Sequence, residues 1–333
     1  MKGKHIISIT SRKAVYNLEL ERKISVLKGN SGTGKSSMIR LISEYLEYGK
    51  QSGVKLLNAS DLPLTVLTNT SDWSEILMSV HGTILFIDED VRYLYNENFQ
   101  RKLWAADCYA VIVSRSGRFT ALPYSVFGIY ELVTEKKGTN TATYMYSLYA
   151  EKHDRSDFDL VLTEDSNSGY EMADFAFKNA EVVSAGGNAL VNTSLRKLSP
   201  EHNRICVNVD GAAYGAFIEP ALKFAETRGN IRISAPESFE YVLLNFNEIK
   251  KQLSSDQGEL TRTYDFCDSS EYGSWEKYYE ELLKQVTTEH FGFTYSKLKL
   301  NRWFLNSNCA DQYVDMLYKC FVTRRSRSNN EAG

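Results

Sequence analysis

The sequence predicts an α/β protein made of two successive α/β units followed by a mainly helical region. Segments with strand patterns alternate with segments of helical period up to about residue 246, which is typical of mostly parallel sheets covered by helices. A glycine-rich loop stands between a predicted strand and a predicted helix near residue 30, and strand patterns become sparse after residue 247. We therefore expect domains at 1–152, 153–246 and 247–333.

Composition excludes several classes of protein. The 333 residues are too many for one typical domain. A net charge of -3 argues against nonspecific coating of nucleic acid, and no stretch approaches the roughly 20 apolar residues that span a bilayer. The first apolar run is too short for a signal peptide, and the five cysteines are scattered, which predicts free thiols. We expect a cytoplasmic protein without a membrane partner.

The first unit is predicted from short alternating segments. HIISIT, AVYNLEL and KISVLKG predict a strand meander that enters the glycine-rich loop, and SSMIRLISEYLEYGK predicts a helix that ends at Gly53. Strands are expected at VKLLNA, LPLTVLT, TILFIDED and YAVIVSRS. Helices are expected in SDWSEILMSVHG, capped by Ser71 or Asp72, and from Asn96 to Ala106. YSVFGIYELVTEKK and TATYMYSLYA, joined by a GTN turn, predict an antiparallel hairpin appended to the sheet.

The second unit is predicted to be smaller. The polar segment 151–157 is the candidate junction, and strands are expected at FDLVLTED, EVVSA, RICVNVD and IRISA. Helices are expected at about 168–178, in AFIEPALKFAETR and in ESFEYVLLN. In the last region, SWEKYYEELLKQVTTE has apolar residues at helical spacing.

The segment 29–36, here called the glycine loop, matches the phosphate-binding pattern GxxxxGK[ST] between a strand and a helix. Glycines allow successive N–H groups to point at phosphates, and the helix N-terminus adds its positive dipole. Lys35 is expected to reach the outer phosphates and Ser36 to bind Mg²⁺. ATP is the default nucleotide because no guanine-reading motif stands out. The predicted nucleotide-binding residues are Gly29, Asn30, Ser31, Gly32, Thr33, Gly34, Lys35, Ser36 and Ser37.

Two carboxylates follow the apolar strand that ends at Ile87. This pattern resembles a Walker B element, in which Asp88 would bind Mg²⁺ and Glu89 would polarise the attacking water. The alternative is a strand that ends in a solvated acidic turn, for which Asp90 is evidence. Ser114 and Arg115 end the next strand, where a γ-phosphate sensor would lie. The catalytic residues predicted in this unit are Lys35 and Glu89.

Residues 5 to 150 resemble the ABC-type and RecF-like P-loop ATPases. The resemblance is based on the predicted strands before the loop and on the pair Asp88 and Glu89. Two features depart from that family. No LSGGQ-like signature stands between Ser36 and Asp88, and no histidine follows the strand at 109–116. A second copy of the chain, a partner protein or the acidic domain that follows is therefore expected to complete the ATP site.

Residues 155 to 245 resemble a Toprim domain, a metal-dependent module of topoisomerases, primases and nucleases. Glu164 and Asp210 match the family's acidic strand ends, and Gly186-Gly187 follows the second strand. The resemblance implies that these two carboxylates are catalytic Mg²⁺ ligands. Asp165 stands where the family has glycine, and Asn208 where it has the first aspartate of a pair. A Rossmann-like accessory unit with acidic residues facing water is the alternative.

An ATPase followed by a Toprim domain resembles the overcoming-lysogenization-defect family of nucleases, which mobile elements often encode and which is linked to phage defence. Glu237 and Glu240 are additional ligand candidates, or else residues that cap a helix and face solvent. Two local basic patches are candidate nucleic-acid contacts. They are Lys297, Lys299 and Arg302 beside Trp303 and Phe304, and the run Arg324, Arg325 and Arg327.

Three functional hypotheses follow. The first is an ATPase whose nucleotide state controls a Mg²⁺-dependent Toprim-like domain that acts on nucleic acid. The second is a nucleotide-dependent switch that docks a partner protein through an inactive second domain. A small-molecule kinase is disfavoured because a kinase excludes water and has little use for Glu89 beside Asp88.

Overall fold

Two β-sheets organise the chain, and helices pack against both. The computed structural model describes residues 2–30, 32–69, 72–137, 140–253 and 260–325. Within these ranges no helix is both long enough and apolar enough to cross a membrane. The mixed α/β class predicted from the sequence is confirmed.

The first sheet has nine strands in the order β4-β1-β2-β9-β8-β3-β7-β6-β5. Its centre is parallel, whereas β1 pairs antiparallel with β2 and β4, and β8 pairs antiparallel with β9. The predicted hairpin is thus confirmed, although two residues of its GTN turn, 138 and 139, lie outside the described ranges. The strands are β1 (His5–Thr10), β2 (Val15–Leu20), β3 (Ile24–Lys28), β4 (Lys55–Asn58), β5 (Leu64–Leu67), β6 (His81–Ile87), β7 (Asp107–Ser114), β8 (Ile129–Lys137) and β9 (Asn140–Ser147).

The predicted strand meander is wrong in one respect. β1 and β2 form an antiparallel hairpin, but β9 and β8 separate β2 from β3. The burial patterns explain this difference. β2 alternates between buried and more exposed side chains, whereas four consecutive residues of β3 are buried. Burial of consecutive residues is typical of a central parallel strand that is covered on both faces.

Three α-helices connect strands of the first sheet: α1 (Lys35–Tyr48), α2 (Trp73–Ser79) and α3 (Glu97–Ala105). Helix α1 ends before Gly49, which has a φ of 56°, and Gly53 ends a short 3-10 turn instead. Asp72 occupies the N-cap position of α2 without a capping side-chain hydrogen bond. The other cap candidate, Ser71, lies outside the described residues.

The second sheet has six strands in the order β10-β15-β14-β13-β11-β12. Strands β11 to β14 are parallel, with β12 at one edge of the sheet, and β15 pairs antiparallel with β10 and β14. The strands are β10 (Tyr149–Lys152), β11 (Leu160–Thr163), β12 (Glu181–Ser184), β13 (Ile205–Asn208), β14 (Ile231–Ser234) and β15 (Phe321–Arg324). The expected helices at 168, 218, 239 and 275 are all present. The α-helices of this half are α4 (Ser168–Ala176), α5 (Asn188–Leu198), α6 (Ile218–Arg228), α7 (Phe239–Leu244), α8 (Asn247–Lys250), α9 (Trp275–Phe291) and α10 (Ser307–Lys319).

Two strands connect parts of the chain that the sequence places apart. TATYMYSLYA splits at Leu148, and its end becomes β10 of the second sheet. Strand β15 joins the same sheet from the region expected to be helical. One apolar core also includes buried residues of both sheets, such as Ile112 and Leu162. The two sheets therefore pack together, while the predicted domain boundaries stay predictions.

Candidate functional site

The glycine loop connects β3 to α1 in the expected strand–loop–helix order. Gly32 and Gly34 have φ values of 87° and 88°, in the left-handed region where glycine is favoured. The Tyr16 hydroxyl donates a hydrogen bond to the Gly34 carbonyl at 3.1 Å, and a Cβ at Gly34 would lie 2.9 Å from that hydroxyl. Both the backbone and its neighbour therefore require glycine at position 34. Ser31 lies outside the described residues.

Lys35 is buried against the loop that precedes it. Its ammonium donates hydrogen bonds to the carbonyls of Gly29 and Asn30, at 2.8 and 2.9 Å, and to Thr33 Oγ1 at 2.9 Å. Burial lowers the pKa of Lys35. Ser36 and Ser37 are exposed in the first turn of α1, where backbone N–H groups have no intrahelical acceptor. The loop and the first turn of α1 thus combine a positive charge with exposed hydroxyl groups and with amides that lack an intrahelical acceptor.

Asp88 and Glu89 follow β6, which β7 separates from β3. Asp88 is partly buried, and its Oδ1 accepts a hydrogen bond from the Glu89 amide at 2.8 Å. Burial raises the pKa of Asp88. Glu89 lies close enough to Lys35 for the two charges to interact. Glu89 also pairs with Arg115, which lines the same cleft as Gly29, Asn30 and Thr33.

Arg115 forms a two-pronged ion pair with Glu89. Its Nε and Nη2 donate to the two carboxylate oxygens at 3.1 and 2.9 Å. These hydrogen bonds are the main reason why the pKa of Glu89 is lowered. Ser114, the other sensor candidate, is buried, and its hydroxyl accepts from the amides of Ser116 and Gly117. Ser114 thus stabilises a turn, whereas Arg115 belongs to the site.

A cleft of about 450 Å³ opens beside the first half of the loop, and both sheets contribute to its walls. Lys28, the last residue of β3, forms an ion pair with Glu219 in the first turn of α6. Glu219 also pairs with Lys223 at 3.1 Å. The sequence reasoning missed this wall, because no local pattern links these residues. The lining residues are Lys28, Gly29, Asn30, Thr33, Arg115, Glu131, Leu148, Tyr149, Glu219, Leu222, Lys223, Glu226 and Arg324.

Glu164 and Asp210 form a second candidate site at the ends of two adjacent parallel strands, β11 and β13. The Glu164 amide donates a hydrogen bond to the carbonyl of Asn208, two residues before Asp210, at 3.0 Å. Burial, followed by neighbouring carboxylates, raises the pKa of both groups. Glu240 is 1% exposed and joins the same cluster. Asp210 Oδ1 also accepts a hydrogen bond from the Phe239 amide at 3.1 Å.

Lys297 supplies the positive charge of this acidic cluster. Its ammonium lies 2.6 Å from Glu276 Oε1 and 3.5 Å from Glu240 Oε1. Burial opposes its charge, but Glu240 and Glu276 outweigh burial and raise the pKa of Lys297. Its charge also acts on Glu164 and Asp210. Among the described residues, no group of three or more His, Cys, Asp and Glu side chains is arranged to hold a metal ion.

The two departures from the Toprim pattern have structural roles. Asp165 accepts a hydrogen bond from the Gly169 amide at 3.1 Å, in the first turn of α4. The Asn208 amide donates to the Tyr313 hydroxyl at 3.1 Å. The glycine pair 186–187 has positive φ, and the Gly187 amide donates to the Glu164 carbonyl at 2.8 Å. The glycines thus hold the turn beside Glu164.

The basic patches proposed for nucleic acid are engaged within the protein only in part, since Lys299, Arg302, Arg324 and Arg325 are exposed. Lys297 pairs with carboxylates, and the rings of Trp303 and Phe304 pack together at 5.1 Å in an aromatic cluster. Arg324 lines the cleft beside the loop. Glu237, one of the extra ligand candidates, pairs instead with Arg22. Arg327 lies outside the described residues.

Comparisons with known proteins assign no family to this chain. No family model matches it, and no curated protein is significantly similar to it. A functional assignment therefore depends on the residues and their geometry.

Proposed function

We propose that the chain binds and hydrolyses ATP with Mg²⁺ at the glycine loop, as a P-loop ATPase similar to the ABC-type and RecF-like branch. The observation that carries the proposal is the position of Lys35, whose ammonium lies on the loop carbonyls of Gly29 and Asn30 while its charge interacts with Glu89. This arrangement supplies an anion-binding cation beside a carboxylate. Positive electrostatics and a proton acceptor are what phosphoryl transfer to water requires.

The residues around the loop fit a bound triphosphate with its metal. Ser36 offers an exposed hydroxyl and Asp88 a partly buried carboxylate, and oxygen ligands of this kind suit Mg²⁺. Bound Mg²⁺ supplies positive charge that offsets the charge of the phosphates. Amides of the loop and of the first turn of α1 would donate to phosphate oxygens. Lys35 would then bind the outer phosphates.

Glu89 would orient the attacking water. Its lowered pKa keeps the carboxylate ionised at neutral pH, which allows it to accept a hydrogen bond from water. Arg115 holds both carboxylate oxygens, so it fixes the orientation of this group. Arg115 is therefore a positioning residue that acts through Glu89.

Glu89→Gln should lower kcat for ATP hydrolysis about 100-fold and leave the Kd for ATP unchanged or lower, because the amide is a poor proton acceptor. Phosphate release and equilibrium binding of a fluorescent ATP analogue measure the two quantities. Asp90→Asn is the matched control, since it neutralises an exposed carboxylate next to Glu89. It should retain wild-type kcat.

Arg115→Gln separates the chemistry of Glu89 from its ion pair. This variant keeps the carboxylate and removes its partner, so kcat should fall less than in Glu89→Gln. An Arg115→Gln variant as inactive as Glu89→Gln would assign the loss to the ion pair and contradict the role given to Glu89.

A second candidate activity is Mg²⁺-dependent action of the Toprim-like unit on nucleic acid. The convergence of Glu164 and Asp210 at neighbouring strand ends supports it. The position of Lys297 argues against this activity, because its ammonium already offsets negative charge that would otherwise attract Mg²⁺. That internal cation favours the other hypothesis, in which an inactive second unit docks a partner protein.

A cleavage assay distinguishes the two roles of the second unit. If the second unit is a metal-dependent nuclease, purified protein should nick plasmid DNA in the presence of Mg²⁺ or Mn²⁺. Glu164→Ala or Asp210→Ala should then reduce nicking about 100-fold. Glu201→Ala, an exposed acidic control, should leave nicking unchanged. If pure wild-type protein does not cleave, the nuclease role is wrong. Nucleotide-dependent retention of a partner protein, insensitive to both alanine changes, would then support the docking role.

A further inference from the structure

The cleft beside the glycine loop contains charges of both signs. Lys28 and Arg115 come from the first sheet, and Lys223 and Arg324 come from the α6 and β15 wall. Acidic residues, among them Glu219, line the same space. A highly charged anion that enters this cleft would therefore change the balance of existing ion pairs.

The position of Lys35 indicates which part of a nucleotide would face the cleft. A P-loop lysine contacts the β- and γ-phosphates, and the Lys35 ammonium lies against Gly29, Asn30 and Thr33. These three loop residues also line the cleft. The terminal phosphate is therefore expected on the side of the loop that faces α6.

Glu219 neutralises cations that a terminal phosphate would also attract. It pairs with Lys28 and Lys223. Burial opposes ionisation of Glu219, but the hydrogen bonds from Lys28 and Lys223 outweigh it and lower its pKa. Lys28 is mostly buried, with a side chain only 12% exposed, so solvent screens this pair less than a surface pair.

We propose that Glu219 senses the terminal phosphate of the bound nucleotide. A triphosphate competes with Glu219 for Lys28 and Lys223, which weakens the contact between β3 and α6, and a diphosphate leaves that contact in place. Helix α6 packs its Ile218, Ala221 and Ala225 into the core shared by both sheets. A change at Glu219 is thereby transmitted to the second unit. This inference rests on the proposed nucleotide site and specifies its regulation.

The test compares affinities for two nucleotides. Kd values for ADP and for a non-hydrolysable ATP analogue, both with Mg²⁺, are measured by fluorescence competition. Glu219→Gln should bind the ATP analogue about fivefold more tightly, because the competing carboxylate is lost, and should change ADP affinity less than about twofold. Equal gains for the two nucleotides would contradict the proposal.

Glu226→Gln is the matched control. It removes one exposed negative charge from the same helix and the same cleft but leaves the Lys28–Glu219 pair intact. It should change both Kd values less than twofold. If Glu226→Gln gained as much affinity for the ATP analogue as Glu219→Gln, the gain would come from the loss of any nearby negative charge, and a specific role of Glu219 would be contradicted. Wild-type protein that binds neither nucleotide would overturn the proposed function together with this inference. Wild-type binding with an unchanged ratio in Glu219→Gln overturns this inference alone.

A second measurement needs no variant. Amide hydrogen exchange in α6 should be faster with the ATP analogue than with ADP, because the triphosphate releases Glu219. Identical exchange in the two complexes would overturn the proposal even if Glu219→Gln did not fold.

Discussion

Lys35→Ala should reduce ATP affinity about 100-fold or more, with hydrolysis lost in parallel. The ammonium is held by three loop oxygens at 2.8 to 2.9 Å, so the wild-type protein has its cation in place before a phosphate arrives. Hydrogen bonds to charged groups contribute more than neutral ones, and alanine has no group that could take the place of the ammonium. Isothermal titration with ATP and Mg²⁺ measures the loss.

Arg40→Ala is the control for Lys35→Ala. It removes a cation from the exposed side of the same helix, where Arg40 lies 3.1 Å from Glu44 and its side chain is 69% exposed. ATP affinity should change less than about twofold, as expected for an exposed pair. Lys35→Ala protein that is folded and still binds ATP as tightly as wild type would contradict the proposed function.

Arg22→Ala should lower the free energy of unfolding by about 3 to 5 kcal/mol. The Arg22 guanidinium pairs with both carboxylate oxygens of Glu237, one of them at 3.0 Å, and lies 3.7 Å from the Trp275 ring centroid. The two charged side chains are only 10% and 12% exposed. Removal of the arginine leaves a poorly solvated carboxylate without its main partner. Urea denaturation, followed by circular dichroism, measures the change.

A double-mutant cycle tests the origin of this loss. Arg22→Ala combined with Glu237→Ala should be less destabilised than the sum of the single variants, because neither charge is left alone. Arg101→Ala is the matched control, since Arg101 pairs with Glu97 at 3.4 Å with both side chains at least 70% exposed. That change should stay within about 0.5 kcal/mol. If Arg22→Ala and Arg101→Ala lost similar amounts of unfolding free energy, a stabilising role of the buried Arg22–Glu237 ion pair would be contradicted.

The proposed ATP site is expected to need further residues that complete it. The missing signature and histidine predict a second copy or a partner protein, and this stays a prediction. Within the chain itself, however, Lys223 and Arg324 already face the glycine loop across the cleft. The second unit therefore contributes cations to the cleft beside the glycine loop.

Local patterns predicted most of the secondary structure and the candidate nucleotide site. The continuous apolar run of β6 predicts a buried strand with Asp88 and Glu89 at its end, which the structure confirms. Gly32 and Gly34 have the positive φ values that the loop requires. Such features depend on residues close together in the chain, so periodicity and turn chemistry suffice to find them. β10 and β15 were misassigned because each is only four residues long, and so short a strand carries a weak pattern.

Only the tertiary structure decided the contacts that join these parts. Arg22 and Glu237 are 215 residues apart, and Lys28 and Glu219 are 191 apart. Lys297 likewise approaches Glu240 from a distant loop, and its ammonium offsets part of the negative charge of the acidic cluster. In the local sequence, nothing distinguishes these side chains from other charged residues. Their partners depend on how the two sheets pack, because charge pairing is set by distance and burial, which a local pattern does not contain.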